Sequence, residues 1–203
     1  MIQAADYDLC IIGGGINGAG IARDAAGRGL KVLLLEQADL AQATSSASSK
    51  LIHGGLRYLE FYEFSLVRES LKERERLLRI APHIIWPMTF VLPHHAGIRP
   101  LWMIRAGLFL YDRLGGKKTL QSSKFVRLSR HAYGKALRPE FDKGFTYADC
   151  WVQDARLVVL NVMDARERGA VIKTRTRCTG LKCEGQIWHV EYDDMRSKMK
   201  NSI

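Results

Sequence analysis

Three consecutive glycines directly behind a short apolar run constrain this chain more than any other feature. Tyr7 to Ile12 (YDLCII) has the character of a strand buried on both faces of a parallel sheet, and Gly13-Gly14-Gly15-Ile16-Asn17-Gly18 follows at once. From Asn17 to Arg28 the small residues Gly18, Ala19, Ala22, Ala25 and Ala26 recur at helical spacing, and Gly29 supplies a C-cap. Lys31 to Glu36 (KVLLLE) reads as a second buried strand, so the first 36 residues form a β-α-β unit with a right-handed crossover. In such a unit Gly13 makes the tight turn, Gly15 lets the backbone approach a pyrophosphate, and Gly18 lets the helix pack on the sheet. Gly14 and Asn17 complete the candidate phosphate loop, and the helix N-terminus offers N–H groups and a positive dipole end. Glu36, closing the second strand, is the expected acceptor for both ribose hydroxyls; its charge disfavours a 2′-phosphate and so NADP. The unit implies a dinucleotide and does not by itself separate FAD from NAD.

At 203 residues and 47% hydrophobic content the chain suits one ordinary domain or one and a half small ones. The short, acidic start Met1–Asp6 lacks the basic and apolar regions of an export signal, from which a cytoplasmic protein is expected. Cys10, Cys150, Cys178 and Cys183 share no metal-ligand spacing, so no metal site and a reducing compartment are expected. The net charge of +10 is uneven: Arg99 to Lys143 carries eleven Lys or Arg, Lys117 and Lys118 among them, against Asp112, Glu140 and Asp142. Such a stretch suits anionic lipid, nucleic acid, a phosphorylated substrate or plain solvent.

Ala43 to Lys50 (ATSSASSK) is rich in hydroxyls and leads to His53-Gly54-Gly55-Leu56-Arg57-Tyr58, where paired glycines permit close approach of backbone to a ligand. Glu63 to Ile80 reads as an amphipathic surface helix stopped by Pro82, and Trp86 to Leu92 has β character. Leu101 to Tyr111, an apolar stretch of eleven residues broken by Arg105, is too short to cross a bilayer. It reads as a core helix of a small cap domain, with an interfacial membrane helix as the alternative. Ala155 to Arg168 follows as a helix, Ala170 to Arg177 as a third sheet strand, and Ile187 to Tyr192 as a hairpin strand facing Thr179 to Cys183. The last stretch, DDMRSKMKNSI, has no strand periodicity and reads as an irregular tail.

The blocks GGGINGAGIARDAAGRGL, ATSSASSKLIHGGLRYLE, LRIAPHIIWPMTFVLPHH, RPLWMIRAGLFLYDRLG, FTYADCWVQDARLVVLN and TRTRC, in that order, resemble the respiratory FAD-dependent glycerol-3-phosphate dehydrogenases. The resemblance implies FAD as cofactor and oxidation of sn-glycerol 3-phosphate to dihydroxyacetone phosphate, with electrons passed to membrane quinone. It implies that Thr44, Ser45, Ser46, Ser48, Ser49 and Lys50 lie along the flavin and that Arg57 and Tyr58 stand near the substrate. His53 is a chemically plausible proton acceptor for the C2 hydroxyl, with a histidine bonded to cofactor or backbone as the alternative. Arg175 and Arg177 fall where the family's third strand passes the adenosine end.

The resulting expectation is an α/β chain with a Rossmann-like FAD-binding domain and a partial cap or substrate region, truncated relative to the family. Residues 1–60 would form the β-α-β unit and flavin loop, 61–145 a helical and basic insertion, 146–192 a return to the FAD-binding domain, and 193–203 the irregular tail. With the phosphorylated substrate and quinone as partners, the basic stretch fits an anionic lipid surface better than nucleic acid. A peripheral position on the cytoplasmic face of the inner membrane follows. The lineage is that of an enzyme, with no turnover expected from the 203 residues alone; a non-catalytic FAD-binding remnant and a flavin amino-acid oxidase are the other readings.

Overall fold

The computed structural model describes residues 5–116 and 119–203. Met1 to Ala4, at the start of the acidic amino terminus, and Lys117 and Lys118 of the basic stretch lie outside the described residues. In chain order, β1 (Leu9–Ile12), α1 (Ile16–Gly27) and β2 (Val32–Glu36) are followed by β3 (Leu51–Ile52), a 3-10 helix (Leu56–Phe61) and α2 (Phe64–Ile80). Next come β4 (Ile85–Pro93), α3 (Leu101–Leu114), β5 (Lys124–Arg127) and β6 (Lys143–Val152). The chain then runs through α4 (Asp154–Glu167), β7 (Val171–Thr174), β8 (Thr176–Glu184), β9 (Ile187–Asp194) and β10 (Met199–Ser202).

Two compact units result, one of residues 1–49 and 153–203, the other of 50–152. In the first, β1, β2 and β7 form a parallel sheet in the order β1-β2-β7. β2 is its hydrophobic centre: Val32, Leu33, Leu34 and Leu35 are all at most 1% exposed. Burial of such side chains contributes about 1.5–3 kcal/mol each. β1 is less enclosed than its sequence suggests, since it stands at the sheet edge and Ile12 is 54% exposed. On one face, α1 packs its alanine stripe (Ala19, Ala22, Ala25, Ala26) close to α4, whose Val158, Val162 and Ala165 are buried in the same clusters. The pair is tied by Arg23 and Asp164 at 2.5 Å. The other face, through Leu33 and Leu35, packs on Val190 and Tyr192 of an antiparallel sheet ordered β10-β9-β8.

Three expectations are corrected here. Residues 193–203 are not irregular: Asp194 Oδ1 accepts the N–H groups of Arg196 and Ser197 in a turn, and Met199–Ser202 returns as β10 against β9. Ile203 closes the pairing by exchanging two backbone hydrogen bonds with Val190. The run from Ala170 to Arg177 is two strands in two sheets, because Arg175 adopts φ +55° and turns the chain between β7 and β8. The boundaries drawn at 60 and 145 move to 49 and 152, since β6 is one continuous strand and β3 pairs with its far end.

The second unit is built on β6, which pairs with β4 along nine residues, with β3 at Trp151 and Cys150, and with β5 from Lys143 to Thr146. Cross-strand aromatic pairs bind the β4–β6 ladder: Trp86 stacks on Trp151 at 5.2 Å and Phe90 on Tyr147 at 5.3 Å between centroids. α2 lays Val67 and Leu71 against Tyr111 of α3. α3 has one buried flank, with Leu108 and Tyr111 at most 3% exposed, while Trp102 and Phe109 are 69% and 51% exposed.

Candidate dinucleotide and substrate sites

The glycine turn is shaped by three separate steric demands. Gly13 has φ +112°, where side chains are strained. A Cβ at Gly18 would lie 2.0 Å from the Gly13 carbonyl oxygen, so the helix can start this close to the turn only without one. A Cβ at Gly14 would meet Leu40 at 2.8 Å and Glu36 at 3.0 Å. Gly14 donates its N–H to Glu36 Oε2 at 2.6 Å, and Ala38 donates to Oε1 at 2.7 Å. Both carboxylate oxygens are thus oriented by backbone amides, and a ribose diol would meet the remaining lone pairs. Gly15 is the N-cap of α1, and a Cβ there would meet only Ser45 Oγ, at 3.2 Å.

Ser45 links the turn to the hydroxyl loop. Its Oγ accepts the N–H of Ile16, the first residue of α1, at 2.9 Å. An N–H at a helix N-terminus needs an oxygen acceptor, and this hydroxyl fills the place a phosphate oxygen takes in dinucleotide sites. Ser48 Oγ donates to Asp154, the first residue of α4, at 2.7 Å, and Ser46 Oγ donates to the Ala43 carbonyl at 3.2 Å. Asn17, Thr44 and Ser49 are exposed in the same unit. The residues present fit a dinucleotide: a glycine turn, an amide-bearing helix start facing an oxygen acceptor, and an oriented carboxylate.

Lys50, His53, Arg57 and Tyr58 belong to the second unit. Lys50 has φ +57°, and its carbonyl accepts the Val152 N–H at 2.9 Å. His53 Nδ1 accepts the Gly55 N–H at 3.0 Å. The neutral ring therefore carries its proton on Nε2 and presents a donor, which matches the backbone-bonded alternative for this histidine. Gly54, expected to open space for a ligand, is filled from within: a Cβ there would lie 2.4 Å from Leu71 and 2.7 Å from the Tyr111 hydroxyl. Arg57 and Tyr58 are exposed.

Behind Gly54 lies a buried polar network that sequence reasoning missed. Gly54 donates its N–H to Tyr111 Oη at 2.8 Å, Tyr111 donates to Asp149 at 2.8 Å, and Arg74 Nη1 donates to Asp149 Oδ1 at 2.6 Å. Arg74 also pairs with Glu75 at 3.0 Å and donates to the Ala148 carbonyl at 3.1 Å, while its Nε is buried without a hydrogen-bond partner among the described residues. Burial opposes the Arg74 charge, but the hydrogen bond and charge of Asp149 hold its pKa above the ordinary value. Burial first, and then the Asp149 charge, raise the pKa of Tyr111 and of Tyr147, so Tyr111 remains a neutral donor. Burial likewise pushes Cys150 up to about 11, which makes it an inert thiol. One signal was available: Arg74 stands seven residues after Val67 and three after Leu71, on the apolar face of α2.

A parallel strand, a glycine turn and an oxygen-capped helix, with a carboxylate closing the next strand, define a Rossmann-like dinucleotide-binding fold. The chain belongs to the FAD-dependent oxidoreductase family, whose sequence model matches residues 8–200, and FAD is the cofactor of that family. The matched span ends within β10, at Lys200. Over 191 residues the chain is 60% identical to a D-erythritol 1-phosphate dehydrogenase of Brucella abortus, covering 94% of this chain and 38% of that protein. It is 60% identical over 187 residues to a glycerol-3-phosphate dehydrogenase of Pseudomonas aeruginosa, covering 92% and 36%. Among solved structures, a Bacillus halodurans glycerol-3-phosphate dehydrogenase complexed with FAD is similar with a TM-score of 0.65 and 27% identity, over 97% of this chain and 32% of that one. The chain thus spans little more than a third of the length of the curated relatives it matches.

Proposed function

We propose that this chain supplies the FAD-binding portion and part of the substrate region of a polyol-phosphate dehydrogenase. Its substrate is sn-glycerol 3-phosphate, its product dihydroxyacetone phosphate, and its electron acceptor a membrane quinone. The observation that carries this reading is the Ser45-capped glycine turn with its oriented Glu36, within a sequence 60% identical to two dehydrogenases named for phosphorylated polyols. The two names differ in polyol at equal identity, which supports the phosphate-bearing class more strongly than the length of the polyol.

A bound FAD would supply the two-electron hydride acceptor for oxidation of the C2 carbinol to a carbonyl, with the hydroxyl proton going to solvent. Gly13, Gly14, Gly15 and Gly18, with the α1 N-terminus, hold the pyrophosphate, and Glu36 orients the ribose. Thr44, Ser45, Ser46, Ser48, Ser49 and Lys50 offer short donors to the flavin ring. Arg57 presents a guanidinium fork to the substrate phosphate or developing oxyanion, with Tyr58 beside it in sequence. His53 acts as a donor through Nε2, since its Nδ1 lone pair is engaged by Gly55.

The exposed Trp102 and Phe109 of α3, with the Arg113 guanidinium 3.6 Å over the Phe109 ring, support peripheral attachment to an anionic lipid surface on the cytoplasmic face. Among the described residues, no helix is long and apolar enough to cross a membrane. The test is to titrate the purified chain with FAD and with NAD, then follow bleaching of bound flavin anaerobically with glycerol 3-phosphate, erythritol phosphate and glycine. Binding of FAD in preference to NAD is expected, with no turnover of a polyol phosphate by these 203 residues alone. Preference for NAD, or bleaching by glycine alone, would overturn the reading.

A further inference from the structure

The second unit contains a cavity of about 420 Å³ whose lining shares only Arg57 with the residues assigned above to the substrate. Its floor is apolar, with Leu59 from the 3-10 helix, Leu92 from β4, Ile98 from the following loop and Ile104 from α3. Gly107 of α3 opens into it: a Cβ built there meets no heavy atom within 4 Å. Three charged residues line it, Arg57, Glu60 and Arg99, all of them exposed. Arg99 Nε and Glu60 Oε1 pair at 3.4 Å, so those two charges offset each other. Arg57 has no hydrogen bond or ion pair with any other described residue, which leaves the cavity with one uncompensated positive charge at the rim of an apolar floor.

We propose that this cavity binds a single-chain anionic amphiphile, its carboxylate or phosphate head on Arg57 and its alkyl chain over Leu59, Ile104 and Gly107. A guanidinium prefers a bidentate oxyanion to a neutral or cationic head. The apolar floor gains with each methylene removed from water, which corresponds to as much as about fourfold in affinity per CH₂. A volume of this size accepts a medium-length chain and lies within the range of small-molecule sites. The proposal concerns the second unit by itself and does not depend on FAD binding, but it uses the same Arg57 guanidinium that the proposed function gives to the substrate.

The experiment is calorimetric titration of the purified full chain, without FAD, below the micelle concentration of each probe. Decanoate binds saturably at one site, about tenfold tighter than octanoate and at least tenfold tighter than decyltrimethylammonium. Gly107→Leu, which fills the cavity from a helix position with room for a side chain, weakens decanoate at least tenfold. Arg57→Gln weakens decanoate about tenfold and leaves decyltrimethylammonium unchanged. Circular dichroism melts confirm the fold of each variant, and Ile104→Trp fills the same space should Gly107→Leu not fold. Equal binding of the anionic and cationic amphiphiles would overturn the proposal. So would inorganic phosphate binding as tightly as decyl phosphate, or undiminished decanoate binding by a folded cavity-filled variant.

Discussion

Gly14 and Gly54 each donate a backbone N–H to a side-chain oxygen, and the chain supplies the two acceptors in different ways. The acceptor for Gly14 is Glu36, 22 residues on at the end of β2, and its other oxygen is anchored by the nearby Ala38 amide. For Gly54 the acceptor is Tyr111, 57 residues on, and its hydroxyl is fixed by Asp149 and through it by Arg74. The first arrangement is local, backbone-driven and contained in one β-α-β unit. The second runs through α2, α3 and β6 and relies on an ion pair whose side chains are both at most 4% exposed. A glycine turn is therefore broken by adding atoms, and the Gly54 segment by removing a charge.

Asp149→Ala is the largest test of that difference. It leaves the buried Arg74 guanidinium with Glu75 as its remaining partner charge and deprives Tyr111 of its acceptor, a loss of about 4 kcal/mol in urea-unfolding free energy. A loss below about 1 kcal/mol would mean that the network is not what holds the second unit. Gly18→Ala comes next. Its added methyl lies 2.0 Å from the Gly13 carbonyl oxygen, and displacement of the turn costs about 3 kcal/mol by the same measurement. The control is Gly20→Ala, two residues along α1 where a Cβ meets nothing within 4 Å, expected to stabilise by about 0.5–1 kcal/mol. Equal effects from the two alanines would remove the steric account of the turn.

The same contrast explains what could be read in advance. Gly13, Gly18 and Glu36 were legible because their roles follow from backbone sterics at fixed spacing within one supersecondary unit. Arg74, Tyr111 and Asp149 were not, because each is ordinary in its own segment and acquires its role only when α2, α3 and β6 meet. Arg74 looked like one charge in the alternating run RESLKERER, although its heptad position put it among Val67 and Leu71. The strand at the end of the chain was hidden for another reason. β10 is an edge strand held by backbone pairing and by an Asp194 turn, so Met199 and Lys200 stay exposed and show no alternation. Ser45 was placed on a flavin loop by resemblance; its contact with the first N–H of α1 needed the structure.

Tyr111→Phe sharpens the comparison by keeping the ring and removing only the oxygen. The Gly54 N–H and one side of Asp149 then lose their partner, at about 2 kcal/mol. Amide hydrogen exchange should accelerate at Gly54 and remain slow at Gly14, whose acceptor lies in the first unit. Unchanged exchange at Gly54 would show that its N–H does not depend on the tyrosine.

The smallest effect is a pH dependence at the α1–α4 contact of the first unit. The hydrogen bond from Arg23, and after it that from Arg168, hold the Asp164 carboxyl below the usual carboxylate range. A folded-state pKa below the unfolded value of about 3.9 means that the stabilisation is fully present at neutral pH and is lost as pH falls below about 4. Asp164→Asn abolishes that acid-limb contribution, so the difference in unfolding free energy between the parent and Asp164→Asn should shrink as pH drops from 6 to 3. Its magnitude stays small because Arg23 is 44% exposed and solvent screens the pair. Parallel acid limbs for Asp164→Asn and the parent would show that the α1–α4 contact rests on its alanine and valine packing alone.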